Sequence, residues 1–171
     1  MTVHSSAEAF PAHPWYALKV RTRSEPVALL GLRYKGYDPF CPTYSERRRY
    51  CDRMKTVDKA VFPGYLFCRF DIGKKLPVIS SPAVEYIVSL NGMPESIPEE
   101  QIVHIRRAVE AGALPAPYFG VGERVRVQCG ALAGVEGVLV RGASRGRLVV
   151  SVDLLQRSVA LEIDEDQLAA A

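Results

Sequence analysis

Apolar and polar residues alternate from Trp15 to Val20, which predicts a strand with Tyr16, Leu18 and Val20 on one face and Trp15, Ala17 and Lys19 on the other. The period then lengthens. Ser24 is placed to cap a helix, with Glu25 in its positive first turn and Pro26 tolerated beside it. Val27, Leu30 and Tyr34, with Leu29 and Leu32 alongside, recur at helical spacing until Gly36 supplies a left-handed stop. Tyr37–Tyr44 predicts a second strand, and Pro39 and Pro42 put it at an edge or make its pairing irregular. The most apolar strand is Tyr65–Phe70. Residues 72–81 are ambiguous, since Pro77 and Pro82 limit any helix there to one or two turns. Val84–Ser89 predicts a short strand and Asn91-Gly92 a tight turn. Pro98, Glu99 and Glu100 open a helix with Ile102, Ile105 and Val109 on one face and Arg106 and Arg107 near its negative end, and Gly112 closes it. This order of elements predicts an α+β fold with one antiparallel sheet and helices packed on it.

The pattern changes after Leu114-Pro115-Ala116-Pro117, where two prolines stiffen the chain and mark a boundary. From Val121, short valine-rich strands are punctuated by Gly122, Gly130, Gly134, Gly137, Gly142 and Gly146, which predicts a small all-β antiparallel barrel whose later strands are Leu148–Val152 and Val159–Ile163. Leu154 and Leu155 lie in the connection between those strands, where they fit either core packing or an exposed protein-binding tip. The expected organisation is a loose extension at 1–14, an α+β domain at 15–112, a linker at 113–120 and an all-β domain at 121–171.

Composition narrows the function classes. The chain has 171 residues, 48% hydrophobic and 24% charged, as in ordinary globular protein. No run approaches the length of a membrane helix and the N-terminus lacks a signal pattern, so a cytoplasmic protein without membrane attachment is expected. The net charge of +3 is unevenly spread, with the basic excess in the first 112 residues. Arg47, Arg48, Arg49, Arg53 and Lys55 crowd one segment that should form an exposed hairpin or loop, and Tyr50 among them favours nucleic acid, since a ring stacks on a base while arginine holds phosphate. Cys41, Cys51, Cys68 and Cys129 include no C-x-x-C pair and are read as reduced thiols, with neither metal nor disulfide implied. His4, His13 and His104 are scattered, and nucleophile, zinc and phosphate-loop motifs are absent from the sequence. A non-enzymatic, cofactor-free protein that works by binding is expected.

The sharpest local feature is Phe62-Pro63-Gly64-Tyr65, a rigid bend between the basic segment and the most apolar strand. Its two rings fit either a core turn or one wall of a concave apolar site.

This bend after a basic loop, with Trp15-Tyr16 opening the fold, resembles the N-terminal (NGN) domain of NusG transcription elongation factors, and Gly122–Val138 is similar to their KOW motif. The resemblance spans Trp15 to Leu168. It implies an NGN-like domain followed by an SH3-like KOW barrel, docking on the clamp helices of RNA polymerase through Phe62, Pro63, Tyr65 and Trp15, and suppression of pausing or termination. It places Arg21 and Arg23 towards the non-template DNA strand, with Arg47, Arg48 and Arg49 as further nucleic-acid contacts. Leu154 and Leu155 would meet the small-subunit ribosomal protein NusE, or Rho. Lys19 departs from the family pattern by narrowing the apolar wall, and residues 76–81 lack the polar signature used against the second polymerase pincer. The Arg-rich hairpin favours a specialised RfaH-like antiterminator over a general NusG. The rival reading is a ribosome- or RNA-associated KOW protein that does not bind polymerase. The β-branched residues and glycines of the last third predict strands there rather than the helical hairpin RfaH-like proteins can form, so Leu154 and Leu155 should be free at all times and recruitment should need no release step.

Overall fold

The computed structural model describes residues 13–118, 122–141 and 145–171. Most of the expected extension, the end of the expected linker, Val121 and Gly142 lie outside the described residues.

Strand β1 (Trp15–Val20) is central because its neighbours cover both of its edges. The chain continues through α1 (Glu25–Tyr34), β2 (Asp38–Phe40), β3 (Thr43–Tyr50), β4 (Arg53–Ala60), β5 (Tyr65–Arg69), the short α2 (Leu76–Ile79), β6 (Val84–Ile87), β7 (Ser89–Leu90), β8 (Met93–Pro94), β9 (Ser96–Ile97) and α3 (Glu99–Glu110). The first sheet runs β2-β5-β1-β6, all antiparallel, with β9 also pairing β1. Its two faces are those the alternation predicts. Tyr16, Leu18 and Val20 pack with Leu66, Cys68, Ala28, Leu32 and Val78. Trp15 and Ala17 pack with Phe67, Ile97, Ile102 and Ile105 on the α3 side. The basic segment forms the β3–β4 hairpin, which pairs with no other strand among the described residues and is largely exposed.

Helix α1 forms where expected but turns the other way. Val27, Leu30 and Tyr34 are its solvent face, at 53%, 65% and 94% exposure, while Glu25, Ala28 and Leu32 are buried. The helix packs closely at Gly31, where a Cβ would press on the ring of Pro82. Ser24 makes no side-chain cap.

The second sheet contains β10 (Leu114–Ala116), β11 (Glu123–Val127), β12 (Glu136–Arg141), β13 (Gly146–Val152), β14 (Arg157–Ile163) and β15 (Leu168–Ala170) in the order β10-β14-β13-β12-β11-β15. The last third is therefore strand and not helix. No closed barrel forms among the described residues, because the end strands β10 and β15 are not paired with each other. The segment expected to be a linker supplies β10, with Leu114 opposite Ala160 and Ala116 opposite Ser158. Pro115 is accommodated because β10 is an edge, where a missing N–H interrupts little.

Candidate functional site

The bend at Phe62 is a type II turn, in which Tyr65 N–H donates to the Phe62 carbonyl at 3.0 Å and Gly64 adopts φ +80°. It is fixed from two further sides. The Glu25 carboxylate, buried at the start of α1, accepts the Gly64 N–H at 2.8 Å, and Val20 N–H donates to the Gly64 carbonyl at 2.9 Å. A residue read as a helix-dipole partner thus holds the turn instead.

The expected open apolar wall is enclosed. Phe62 is 1% exposed and lies edge-on to Phe67, with centroids 5.8 Å apart. Trp15 is 3% exposed beneath the Arg69 guanidinium, 4.8 Å from its ring, and Arg69 pairs with Glu99. The Trp15 indole N–H has no hydrogen-bond partner among the described residues. Tyr65 is half-buried, with Lys19 Nζ 5.0 Å and the Arg157 guanidinium 5.7 Å from its ring.

What encloses this face includes the second sheet. Trp15 and Phe62 belong to one continuous buried cluster with Val150, Val152 and Val159, and α3 packs on β13 and β14. Arg107 donates to the carbonyls of Ala133 at 2.7 Å and Ala131 at 2.8 Å. Gln101 donates to Asp153 at 3.0 Å, and the Tyr118 hydroxyl reaches the same carboxylate at 3.2 Å. Leu154 and Leu155, in a 3-10 turn, are half-buried against this cluster. They are half-buried rather than a fully exposed tip. The reason is that Asp153 is tied down at the start of their turn by Gln101 and Tyr118.

Between α3 and the second sheet a cleft of about 330 Å³ is lined by His104, Glu100, Arg124, Glu136 and Ser151. Burial pushes the His104 pKa below its ordinary value, against the opposing pull of Glu136 and Glu100, and Arg107 and Arg126 act in the same direction as burial.

The nucleic-acid candidates separate. Arg21 and Arg23 are exposed in the turn after β1, where Arg23 has φ 69°. In the β3–β4 hairpin, Arg47 faces Thr56 and Arg49 faces Met54, whereas Arg48 lies on the other face and pairs with Glu46 at 2.9 Å. Lys59 pairs with the same carboxylate. Arg23 and Arg48 line a common cleft of about 800 Å³ with Pro26, Leu29, Tyr44 and Pro63. Arg21, Arg47 and Arg49 lie outside that lining.

Among the described residues, no group of His, Cys, Asp or Glu could hold a metal ion, and no helix is long and apolar enough to cross a membrane.

The family model described as transcription termination factor NusG matches residues 13–106, more than half of the chain. The chain is a member of the NusG family. It is 26% identical over 180 residues to the transcription termination/antitermination protein NusG of Thermus thermophilus, covering 92% of this chain and 98% of that protein. This NusG-family chain is therefore a transcription termination/antitermination factor. Its fold matches a structure of Thermotoga maritima NusG that concerns domain interaction in that protein, with a TM-score of 0.52, 19% identity and coverage of 92% and 96%. A chain of an MjSpt4:Spt5 complex aligns over 92% of this chain and 97% of its own, at 11% identity and a TM-score of 0.29.

Glu25, Arg107 and Arg157 are the residues that sequence reasoning missed. Each acts on a group far along the chain, and no local spacing signals such a contact.

Proposed function

We propose that this NusG-family chain docks on the clamp helices of RNA polymerase through Phe62, Pro63, Tyr65 and Trp15, bridges the cleft and opposes pausing or termination. Residues 15–112 act as the docking unit and residues 121–171 as a KOW unit with an SH3-like strand order. The observation that carries the reading is the rigid type II turn, fixed by Glu25 and Val20, which presents aromatic residues on one face of the first sheet. Arg157 of the second sheet stands over Tyr65, and Leu154 and Leu155 pack against the cluster that holds Trp15 and Phe62, so docking requires this end of the sheet to move aside. Once displaced, Leu154 and Leu155 become available to NusE or Rho.

The nucleic-acid part of the proposal assigns the non-template strand to Arg21, Arg23, Arg47, Arg48 and Arg49. Arg21, Arg23, Arg47 and Arg49 have no carboxylate within 4 Å among the described residues, whereas Arg48 is paired with Glu46. A conditional cover together with a protruding basic hairpin supports a specialised antiterminator over a general factor.

The deciding experiment is a pull-down with core RNA polymerase, using the full chain and Tyr65→Ala. A central aromatic anchor is worth about 2 kcal/mol or more, so the folded variant should lose most of the binding. Unchanged binding by a folded Tyr65→Ala protein removes the docking assignment.

A further inference from the structure

Cross-strand register puts Tyr65, Lys19 and Tyr86 in one row on the same face of the first sheet, with Lys19 directly opposite both tyrosines. The lysine stem is thus flanked by rings, and Gly64 leaves room for its ammonium, since a Cβ there would collide with Nζ. The ammonium itself is poorly served. Its one hydrogen bond is to the Val20 carbonyl, at 3.4 Å, and no carboxylate lies within 4 Å among the described residues. A second cation, Arg157, stands over the same Tyr65 ring and is equally without a carboxylate at that distance. Two positive groups converge on one ring while Tyr86, on the far side of Lys19, stays 53% exposed. Two cations beside one ring, neither with a carboxylate at hand, attract an anion from outside.

The geometry points to Lys19 as a specificity determinant of the docking face: it receives a carboxylate from the partner, with Tyr65 and Tyr86 packing on the apolar ridge beside that carboxylate. With the clamp helices as the partner, its contact surface is an amphipathic helix with an acidic residue next to its apolar stripe, and a purely apolar stripe is discriminated against because it would bury the ammonium unpaired. In the closed arrangement Arg157 occupies the space beside Tyr65 that the partner takes. This inference rests on the reading of the clamp helices as the partner.

The test measures binding of the full chain to immobilised core RNA polymerase over a salt series. Lys19→Gln should weaken binding by about tenfold at low salt, with the gap narrowing as salt rises. Lys19→Arg should keep most of the affinity, and Tyr86→Ala should lose about fivefold. The same Lys19→Gln loss should persist when Arg157 is also changed to Ala, which separates partner docking from the interdomain contact. Binding by Lys19→Gln that equals or exceeds wild type, or a loss indifferent to salt, overturns the inference and leaves the docking reading intact. Failure of the wild-type chain and of the Arg157→Ala chain to bind polymerase at all overturns both.

Discussion

The carboxylate of Glu25 and the backbone N–H of Gly64 meet at 2.8 Å across 39 positions of sequence, and the carboxylate is buried while it does so. A helix start and a strand start are thereby locked to each other. Glu25→Ala should cost about 2 kcal/mol, as for a buried bond to a charged acceptor, seen as a lower melting temperature. Tyr65 fluorescence or NMR shifts should move with it. A melting temperature unchanged in Glu25→Ala would mean that the turn stands without the carboxylate.

Arg107 joins the end of α3 to the turn at Ala131–Ala133 through two hydrogen bonds. Arg107→Ala should weaken the hold of the second sheet by about 1–2 kcal/mol without unfolding either sheet. Calorimetry should then show unfolding split into two transitions, and amides of Leu154 and Leu155 should exchange faster. A single transition at the wild-type temperature would place the hold elsewhere.

His104 has its pKa lowered on folding, first by burial, so its neutral form is the one the closed structure favours. Stability from this group is present above the ordinary histidine value of about 6.5 and is lost as pH falls below it towards the lowered folded value, where the loss levels off. Melting temperature should fall over that window, and His104→Gln should flatten the fall. An equal slope in the variant would assign the acid sensitivity to other groups.

Burial pushes the Cys41 thiol up to about 11 and the Cys68 thiol up to about 12, while Cys51 and Cys129 are exposed. A thiol reagent at neutral pH should label Cys51 and Cys129 quickly and Cys68 only on unfolding, because the thiolate is the reactive form. Fast labelling of Cys68 in the folded chain would contradict its packing in the first core.

Where the fold was legible, local chemistry was enough. Residues Trp15–Val20 alternate and form a strand with both bounds as read, Asn91 and Gly92 both take the positive φ their turn needs, and the basic segment doubles back as a hairpin. The burial of α1 was not legible, because Val27, Leu30 and Tyr34 advertise a core stripe by their spacing, whereas the side that meets the sheet carries Ala28 and Leu32. The aromatic turn was found in sequence as a unit. Its enclosure was not, since that depends on Arg107, Asp153 and Arg157 meeting groups tens of residues away.

The pairing of Leu114–Ala116 with β14 gives the molecule a leash of two lengths. With β10 in place, only Ala111, Gly112 and Ala113 separate α3 from the second sheet, and three extended residues reach about 10 Å. The sheet can tilt within that radius and uncover one edge of the aromatic face, yet it cannot travel to a distant partner. Peeling β10 from its edge leaves twelve residues, 111–122, between α3 and β11 and lengthens the reach about fourfold. An edge strand carrying a proline is the cheapest one to peel. Uncovering and reaching are therefore separate acts with separate thresholds, set by one short strand.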